Sequence, residues 1–289
     1  MGRLAGIAWI ILASVAFSIM GVATKLAVPV EGTLPVVFWR SVIVFVVAFA
    51  LARAQKVSLR PKRWGLLMWR SITGLVAMIL FFWSLGQIPL GTATTLLYTS
   101  PLFTVLMAGA MLGERRQRRT FPLALLAFIG VGLVLGPDAS TLGWGALAAL
   151  AAGFLAALAY VAVRQLRASD PPARIVAFFS VVAALACAPA TLAAPLPDSF
   201  ERWAWLAAVG LCAAGGQLCM TWAYRVEQAH VVGPFSYATV VISWAIGLIA
   251  WDEPLTALGA LGVALVVGSG ALLSGSADAE HPREPEPTE

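Results

Sequence analysis

The stretch W-S-L-G-Q-I-P-L-G-T-A-T-T-L-L-Y-T-S-P, residues 83–101, is followed by an apolar run and by L-G-E, which ends at Glu114. A second version of this pattern runs from Trp222 to Glu253. Residues of the two halves match at one offset of 139, and the matching pairs are Trp83/Trp222, Tyr98/Tyr237, Glu114/Glu253, Gly6/Gly145, Lys25/Arg164, Ser41/Ser180, Trp64/Trp203 and Gly136/Gly275. Because internal repeats dictate architecture, a constant offset predicts two equal halves joined without gaps.

The composition excludes a soluble protein. The 289 residues are 60% hydrophobic and only 11% charged, whereas soluble domains carry about 25% charged residues. Nearly uncharged runs of about 20 residues predict membrane-spanning helices, and they lack the alternation of a membrane β-barrel. Cys187, Cys212 and Cys219 lie in these runs without metal-ligand spacing, so we interpret them as small packing residues.

The apolar runs predict an all-α integral membrane protein with ten transmembrane helices. The predicted spans are 4–28, 35–54, 64–85, 89–112, 120–136, 142–166, 173–192, 203–224, 229–251 and 255–274. They form a first five-helix repeat over 1–137 and a second over 138–275. The polar, acidic, proline-rich segment 276–289 is predicted to be a disordered cytoplasmic tail.

Lysine and arginine residues predict the orientation of these spans. Fifteen of the 19 fall on one side of the chain in alternate loops, which places both termini in the cytoplasm of a bacterial inner membrane protein. This distribution explains the net charge of +5 without a nucleic-acid partner. Five spans per half invert the second copy relative to the first. Inverted repeats are typical of secondary transporters, whose substrate sites lie near the membrane midplane.

Two segments resemble a known family. I-P-L-G-T-A-T-T-L-L-Y-T-S-P-L-F-T-V-L-M-A-G-A-M-L-G-E-R at 88–115 and V-G-P-F-S-Y-A-T-V-V-I-S-W-A-I-G-L-I-A-W-D-E-P-L-T at 232–256 resemble the fourth-span and ninth-span signatures of the EamA family, in the drug/metabolite transporter superfamily. Arg40, in V-F-W-R-S, matches the second-span arginine of the family. The resemblance implies ten spans, inverted halves and a central cavity lined by spans 3, 4, 8 and 9. The aromatic lining is similar to that of YddG-type amino-acid exporters, although Phe179 stands where a second copy of Arg40 would lie.

Two tyrosines are the first candidates for a substrate site. Tyr98 and Tyr237 lie about 14 Å and about 12 Å into their spans, close to half of the roughly 30 Å hydrocarbon thickness. Their hydroxyl groups should face the bundle interior, where they either line a cavity or form structural hydrogen bonds. Pro101 follows Tyr98 and Pro234 precedes Tyr237, and each proline predicts a helix break. Such breaks mark substrate sites in transporters. Alternatively, they are kinks whose free backbone groups bond to neighbouring groups.

Other residues on the same spans complete the predicted site. Polar residues accompany the two breaks, and aromatic, Met and Gln side chains on spans 3 and 8 form predicted facing walls. The additional substrate-site candidates are Thr94, Thr95, Thr99, Met78, Phe82, Trp83, Gln217, Thr221, Trp244, Ser243 and Arg40.

Charged residues inside the spans are functional by default, because each costs about 2.5–3.5 kcal/mol to insert. Lys25 and Arg70 lie near span ends, from which we expect them to snorkel to the interface. Two roles stay open for Arg40, namely binding a carboxylate and organising backbone carbonyls. Glu114 and Glu253 end their spans, where they fix loops or, alternatively, act in gating.

No carboxylate is predicted at mid-depth, which argues against a proton-driven pump for organic cations. The sequence therefore predicts a secondary transporter that exports small metabolites, above all amino acids with aromatic or other apolar side chains. Alternating access without ion coupling is the expected mechanism. The alternatives are transport of another metabolite or drug, such as a nucleoside, riboflavin or an organic cation, and a membrane receptor or structural protein.

The sequence predicts no enzymatic activity, because it lacks the clusters of carboxylates, histidines or metal ligands that a membrane enzyme needs. No cofactor or metal is expected. The expected partners are the small-molecule substrate and membrane lipid, with the chain acting as a monomer.

Overall fold

The computed structural model describes residues 2–111, 120–135, 139–166, 169–227 and 232–277. Within these ranges all regular secondary structure is helical. The helices are α1 (Gly2–Glu31), α2 (Thr33–Ala54), α3 (Trp64–Leu85), α4 (Leu90–Leu97), α5 (Ser100–Met111), α6 (Thr120–Leu135), α7 (Ala139–Leu166), α8 (Pro172–Ala193), α9 (Phe200–Val226), a 3₁₀ helix (Gly233–Tyr237), α10 (Ala238–Trp251) and α11 (Ala257–Ala277). Helices suit these apolar runs because they satisfy backbone hydrogen bonds internally.

Seven helical segments are long and apolar enough to cross a membrane. They are 4–31, 33–54, 64–85, 143–166, 172–193, 200–226 and 233–251. Shorter apolar helices occupy 121–135 and 257–272, and α4 and α5 together occupy the predicted fourth span. The all-helical membrane architecture agrees with the sequence, while the count of ten spans stays a prediction.

Helix packing follows the offset of 139. Helix α1 packs along α9 and α7 packs along α3, while α2 packs along α8 and α6 along α11. Exchanging the halves converts the first pair into the second, and each of the other pairs joins a helix to its own copy. This exchange supports the predicted repeat. It also places α2 and α8 on opposite sides of the boundary between the halves.

The helix that contains Tyr98 is interrupted in its middle. Helix α4 ends at Leu97 and α5 begins at Ser100, one residue before Pro101. Helix α7 approaches this interruption closely, because a Cβ atom at Gly153 would lie only 2.9 Å from the Leu96 carbonyl oxygen. Any larger residue at Gly153 would therefore push α7 away from the interruption.

One end of the bundle is closed by polar contacts between the two halves. The buried Asp170 carboxylate accepts hydrogen bonds from Arg174 Nη1 at 2.9 Å and from the Lys62 backbone N–H at 3.1 Å. Arg174 Nε also donates to the Ser58 carbonyl at 2.7 Å. Burial alone would raise the pKa of Asp170, but these hydrogen bonds, one from Ser169 and the charge of Arg174 lower it below its ordinary value. The α2–α3 loop is thus fastened to the α7–α8 loop.

Candidate functional site

The two predicted midplane tyrosines are in contact. The rings of Tyr98 and Tyr237 lie 5.6 Å apart at 64°, an edge-to-face arrangement that aromatic pairs favour. Each tyrosine lies at a change in helix geometry, since Tyr98 follows α4 and Tyr237 ends the 3₁₀ helix. The two helix interruptions, one from each half, therefore meet at this pair.

Polar atoms around this pair are left without partners. Tyr237 is 1% exposed, and its hydroxyl group has no hydrogen-bond partner among the described residues. The Thr239 hydroxyl is also buried and neighbours the Tyr98 side chain, but it forms no hydrogen bond of good geometry with any described residue. Buried polar groups are nearly always satisfied, so this pair of hydroxyl groups needs an explanation.

The predicted threonines largely bind their own helix. The hydroxyl groups of Thr94, Thr95 and Thr99 donate to carbonyl oxygens three or four residues earlier, at 2.6–2.8 Å. Thr95 also accepts a hydrogen bond from Trp244 Nε1 at 3.0 Å, which joins α4 to α10. The Thr94 and Thr99 hydroxyl groups are therefore hydrogen-bonded to backbone carbonyls a turn earlier in the chain.

Ser243 joins α10 to α1. Its hydroxyl group lies 3.4 Å from that of Ser18, which in turn donates to the Thr239 carbonyl at 3.3 Å. Ser14 makes a similar contact to the Ser236 carbonyl one turn earlier. Since α1 belongs to the first half and α10 to the second, this side of the site is again built from both halves.

The predicted walls on spans 3 and 8 belong to helices that pack against different neighbours. Helix α3 packs on α7 and α8, whereas α9 packs on α1 and α2. Phe82 is buried in the main hydrophobic cluster, against which Met78 packs, and Trp83 is partly buried. Gln217 and Thr221 are partly buried on α9, where the Thr221 hydroxyl donates to the Gln217 carbonyl.

Arg40 is almost fully buried, at 7% exposed. Its Nε and Nη1 atoms have no hydrogen-bond partner among the described residues, so these two donors bind no described backbone carbonyl in this conformation. Both roles of Arg40 stay predictions. The guanidinium group faces the ring of Phe179 on α8, with its carbon 5.9 Å from the ring centroid.

The expectation that Arg70 snorkels to the interface is wrong. Its Nε and Nη1 atoms are buried, and Nη1 lies 3.0 Å from the position of a Cβ atom on Gly74, one turn further into the span. The guanidinium carbon lies 4.0 Å from the centroid of the same Phe179 ring. Arg70 thus points into the bundle, where the ring offers a cation–π contact that the interface does not.

Tyr160 of α7 is a site residue that the sequence analysis missed. It is 49% exposed and lies within electrostatic range of both Arg70 and Tyr98. Tyr160 is therefore an accessible side chain close to both the arginine and the tyrosine pair. Its place six residues before the end of α7 resembles that of an interfacial tyrosine, so sequence position gave no signal.

Glu253 connects the halves at the opposite end from Asp170. Its carboxylate accepts the Leu90 backbone N–H at 2.8 Å, at the N-terminus of α4, and pairs with Lys25 Nζ at 3.2 Å. Lys25 also donates to the Ile88 carbonyl at 2.9 Å and lies over the Trp251 ring. The expectation that Lys25 snorkels is therefore wrong, because its ammonium group is held by these partners. Glu114 lies outside the described residues.

Chemistry of other kinds has little support in the described ranges. No group of three or more His, Cys, Asp or Glu side chains there could hold a metal ion.

The buried side-chain polar atoms without partners among the described residues belong to two sets. One set consists of Arg40, Ser41, Arg70 and Ser180 on α2, α3 and α8. The other consists of Tyr237 and Thr239 at the second interruption. The unsatisfied groups thus concentrate where helices of the two halves meet.

Comparison with known proteins identifies a common family. The model of the EamA-like transporter family matches residues 4–136 and, a second time, residues 143–275. The chain is 32% identical over 267 residues to the pseudopaline exporter of Pseudomonas aeruginosa, covering 91% of this chain and 93% of that protein. It is 26% identical over 283 residues to a riboflavin transporter of Vibrio cholerae, covering 94% and 93%.

A solved crystal structure has a similar fold. It superposes on this chain with a TM-score of 0.66 at 24% identity, and the superposition covers 94% of this chain and 98% of that one. At this level of identity the likeness shows the fold alone.

Proposed function

Because the chain belongs to the EamA-like transporter family, we propose that it exports small amino-acid-like metabolites by alternating access. It is a small-molecule transporter of the membrane and not an enzyme. The observation that carries the proposal is the contact of Tyr98 with Tyr237 at two helix interruptions. Transporters place substrates where interrupted helices of two repeats expose backbone and side-chain polar groups.

The proposed binding site lies between the tyrosine pair and the wall formed by Tyr160. The aromatic rings supply apolar contact, and the unpartnered Tyr237 and Thr239 hydroxyl groups supply hydrogen bonds. A substrate that accepts or donates hydrogen bonds there removes the penalty of leaving these groups unsatisfied. The predicted substrate-site residues on α3 and α9 form the remaining walls in this proposal.

Access to the site alternates as one half moves against the other. With both termini in the cytoplasm, Glu253 and Lys25 lie at the outer end, and the Asp170–Arg174 pair lies at the inner end. Opening the outer end would separate Lys25 from Glu253, and the Glu253 carboxylate from the N-terminus of α4. Since no described carboxylate lies at mid-depth, transport is proposed to follow the substrate gradient without proton coupling.

The test is counterflow in liposomes that contain the purified full chain. Labelled amino acids should exchange with an unlabelled internal pool, and collapse of a proton gradient should leave the rate unchanged. Riboflavin serves as a competitor of a different class, since a relative transports it. Absence of exchange by any amino acid in folded protein would refute the proposal.

Substitution then locates the site. Tyr98→Ala and Tyr237→Ala should each lower the exchange rate by about tenfold or more, because they remove substrate contacts at the centre of the site. Phe49→Ala on α2 is the control, since Phe49 is 42% exposed and removing it deletes an aromatic ring away from the pair. Equal losses in all three variants would argue against a site at the tyrosines.

A further inference from the structure

Two arginines of the first half lie inside the bundle without compensation of their charge. The Nε and Nη1 atoms of Arg40 and of Arg70 are buried and have no hydrogen-bond partner in the described part of the chain. Other cations, among them Lys25, Arg174 and Arg202, form ion pairs with described carboxylates. Burying an unpaired charge is costly, so two of them together need a reason beyond packing.

Both guanidinium groups face one aromatic ring. Their carbons lie 5.9 Å and 4.0 Å from the centroid of Phe179, so the two groups are no farther apart than the sum of these distances. They repel each other electrostatically at this separation. The ring stabilises a cation through its face, but it leaves the N–H donors unused, since a guanidinium group carries five of them.

Gly74 allows Arg70 and Phe179 to pack close to the backbone of α3. The Cβ position of Gly74 lies 3.0 Å from Arg70 Nη1 and 3.4 Å from Phe179 Cε2, so a side chain there would crowd both groups. Arg70 is partly exposed although its Nε and Nη1 atoms are buried, and the 49% exposed Tyr160 lies within its electrostatic range. The Arg70 side chain is therefore not fully enclosed by other described residues.

The repeat shows that the scaffold does not require these charges. At the offset of 139, the residue of the second half that is equivalent to Arg40 is Phe179, and the residue equivalent to Arg70 is the fully buried Val209. Each half thus builds the same positions, one with cations and the other with apolar side chains. These charges are present in only one of the two halves. Such an asymmetry indicates that they recognise an asymmetric partner, such as a bound molecule.

Other described carboxylates are engaged elsewhere. Glu253 binds Lys25, Glu31 binds Arg202, and Asp170 binds Arg174. They lie at the ends of the bundle, where they fasten loops, so none of these three compensates the central arginines.

We propose that Arg40 and Arg70 bind two acidic groups of the transported molecule, which makes the substrate an amino-acid-like dicarboxylate. Guanidinium groups bind carboxylates through paired, charge-assisted hydrogen bonds, which use the donors left free here. In this proposal Phe179, which both cations contact, packs against the carbon chain that joins the two acidic groups. This inference rests on the proposed transport function, and it replaces the apolar side chain that the sequence analysis expected in the substrate with an acidic one.

L-Glutamate and L-glutamine form a matched pair of probes, because they have nearly the same shape and differ by one negative charge. In counterflow with the full chain in liposomes, labelled glutamate should exchange about tenfold or more faster than glutamine, since a site built for a group rejects an analogue that lacks it. L-Leucine and inorganic phosphate serve as a neutral apolar probe and as an anion of another class.

Arg40→Met and Arg70→Met remove the charge and keep most of the side-chain length. Each should lower glutamate exchange by about tenfold or more. The variant at the arginine that binds the side-chain carboxylate should also abolish the preference for glutamate over glutamine, whereas the variant at the arginine that binds the α-carboxylate should lower the exchange of both amino acids. Arg53→Met is the matched control, because Arg53 is exposed at the end of α2 and should leave the preference intact.

Thermal unfolding of the same variants in detergent gives a readout that does not depend on transport. Removing an uncompensated charge should raise the Tm of the unliganded protein, whereas removing a structural contact would lower it. Glutamate should raise the Tm of the native chain and have no effect on the Tm of either Met variant.

The outcomes separate the inference from the proposed function. Exchange of leucine and glutamine at the rate of glutamate, or a retained preference in both Met variants, overturns the dicarboxylate inference and leaves transport standing. A rise in Tm with glutamate in the native chain but without exchange supports the site and refutes transport. A rise with phosphate alone, without any with glutamate, overturns the assignment to carboxylates.

Discussion

Lys25 and the Arg40–Arg70 pair are cations in the same predicted membrane region, and the protein treats them in opposite ways. Lys25 has a carboxylate, a backbone carbonyl and an aromatic ring as partners. Arg40 and Arg70 share one aromatic ring and have no anionic partner among the described residues. The difference separates charges that hold the helices together from charges that are kept available.

The positions of the two sets agree with this division. Lys25 and Glu253 lie at one end of the bundle, where they join α1, the start of α4 and the end of α10. The Asp170–Arg174 pair joins loops at the other end. The arginines lie between these ends, next to the boundary of the halves. Satisfied charges thus flank a region of unsatisfied ones, which is how a transporter can be both stable and receptive to a polar substrate.

Removing the partner of Lys25 should have the largest effect. Glu253→Ala leaves the largely buried Lys25 ammonium group without its anionic partner and the Leu90 N–H at the start of α4 without its acceptor, so the free energy of unfolding should fall by about 3–5 kcal/mol. Equilibrium unfolding in mixed micelles measures this loss. Arg70→Met should instead raise the free energy of unfolding. If this variant also lowers it, the distinction between the paired charge of Lys25 and the unpaired charges of the arginines is lost.

A second variant isolates the charge pair. Lys25→Met combined with Glu253→Ala removes both charges, so part of the lost stability should return. Glu201→Gln is the matched control, because this carboxylate is exposed and accepts its hydrogen bond from Trp205 within the same helix. It should change the free energy of unfolding by less than about 0.5 kcal/mol.

The Asp170–Arg174 pair at the other end of the bundle should make a contribution to stability that depends on pH. The pKa of Asp170 is below its ordinary value in the folded protein, so its contribution is fully present above the unfolded pKa and is lost as the pH falls through the folded pKa. Asp170→Asn should cost about 1.5–3 kcal/mol at neutral pH. The difference in Tm between native chain and variant should shrink below about pH 4. A difference that grows at low pH would contradict the assigned pKa shift.

The sequence predicted the helical architecture well, because continuous apolar runs leave few alternatives to helices in lipid. It also predicted that Tyr98 and Tyr237 lie at similar depth near the midplane, but their ring contact is known only from the structure. The family resemblance at 88–115 and 232–256 agrees with the family match.

Side-chain direction could not be predicted in the same way. Lys25 and Arg70 lie near helix ends, and depth alone favours snorkelling there. Their actual directions depend on partners from distant helices, Glu253 for one and Phe179 for the other. The missing signal for Arg70 was its apolar counterpart, Val209, in the second half.

A neutral unpartnered group provides the smallest and sharpest test. The Tyr237 hydroxyl is buried without a partner, so Tyr237→Phe removes an unsatisfied group and should leave the free energy of unfolding unchanged or raise it by about 1 kcal/mol. Thr95→Val is the comparison variant, because the Thr95 hydroxyl has partners at Gly91 and Trp244 and its loss should cost about 1 kcal/mol. If transport falls in Tyr237→Phe while stability does not, the hydroxyl group belongs to the substrate. If stability falls as much as in Thr95→Val, the hydroxyl group has a structural partner, and unsatisfied polar atoms would then no longer mark the binding site of this protein.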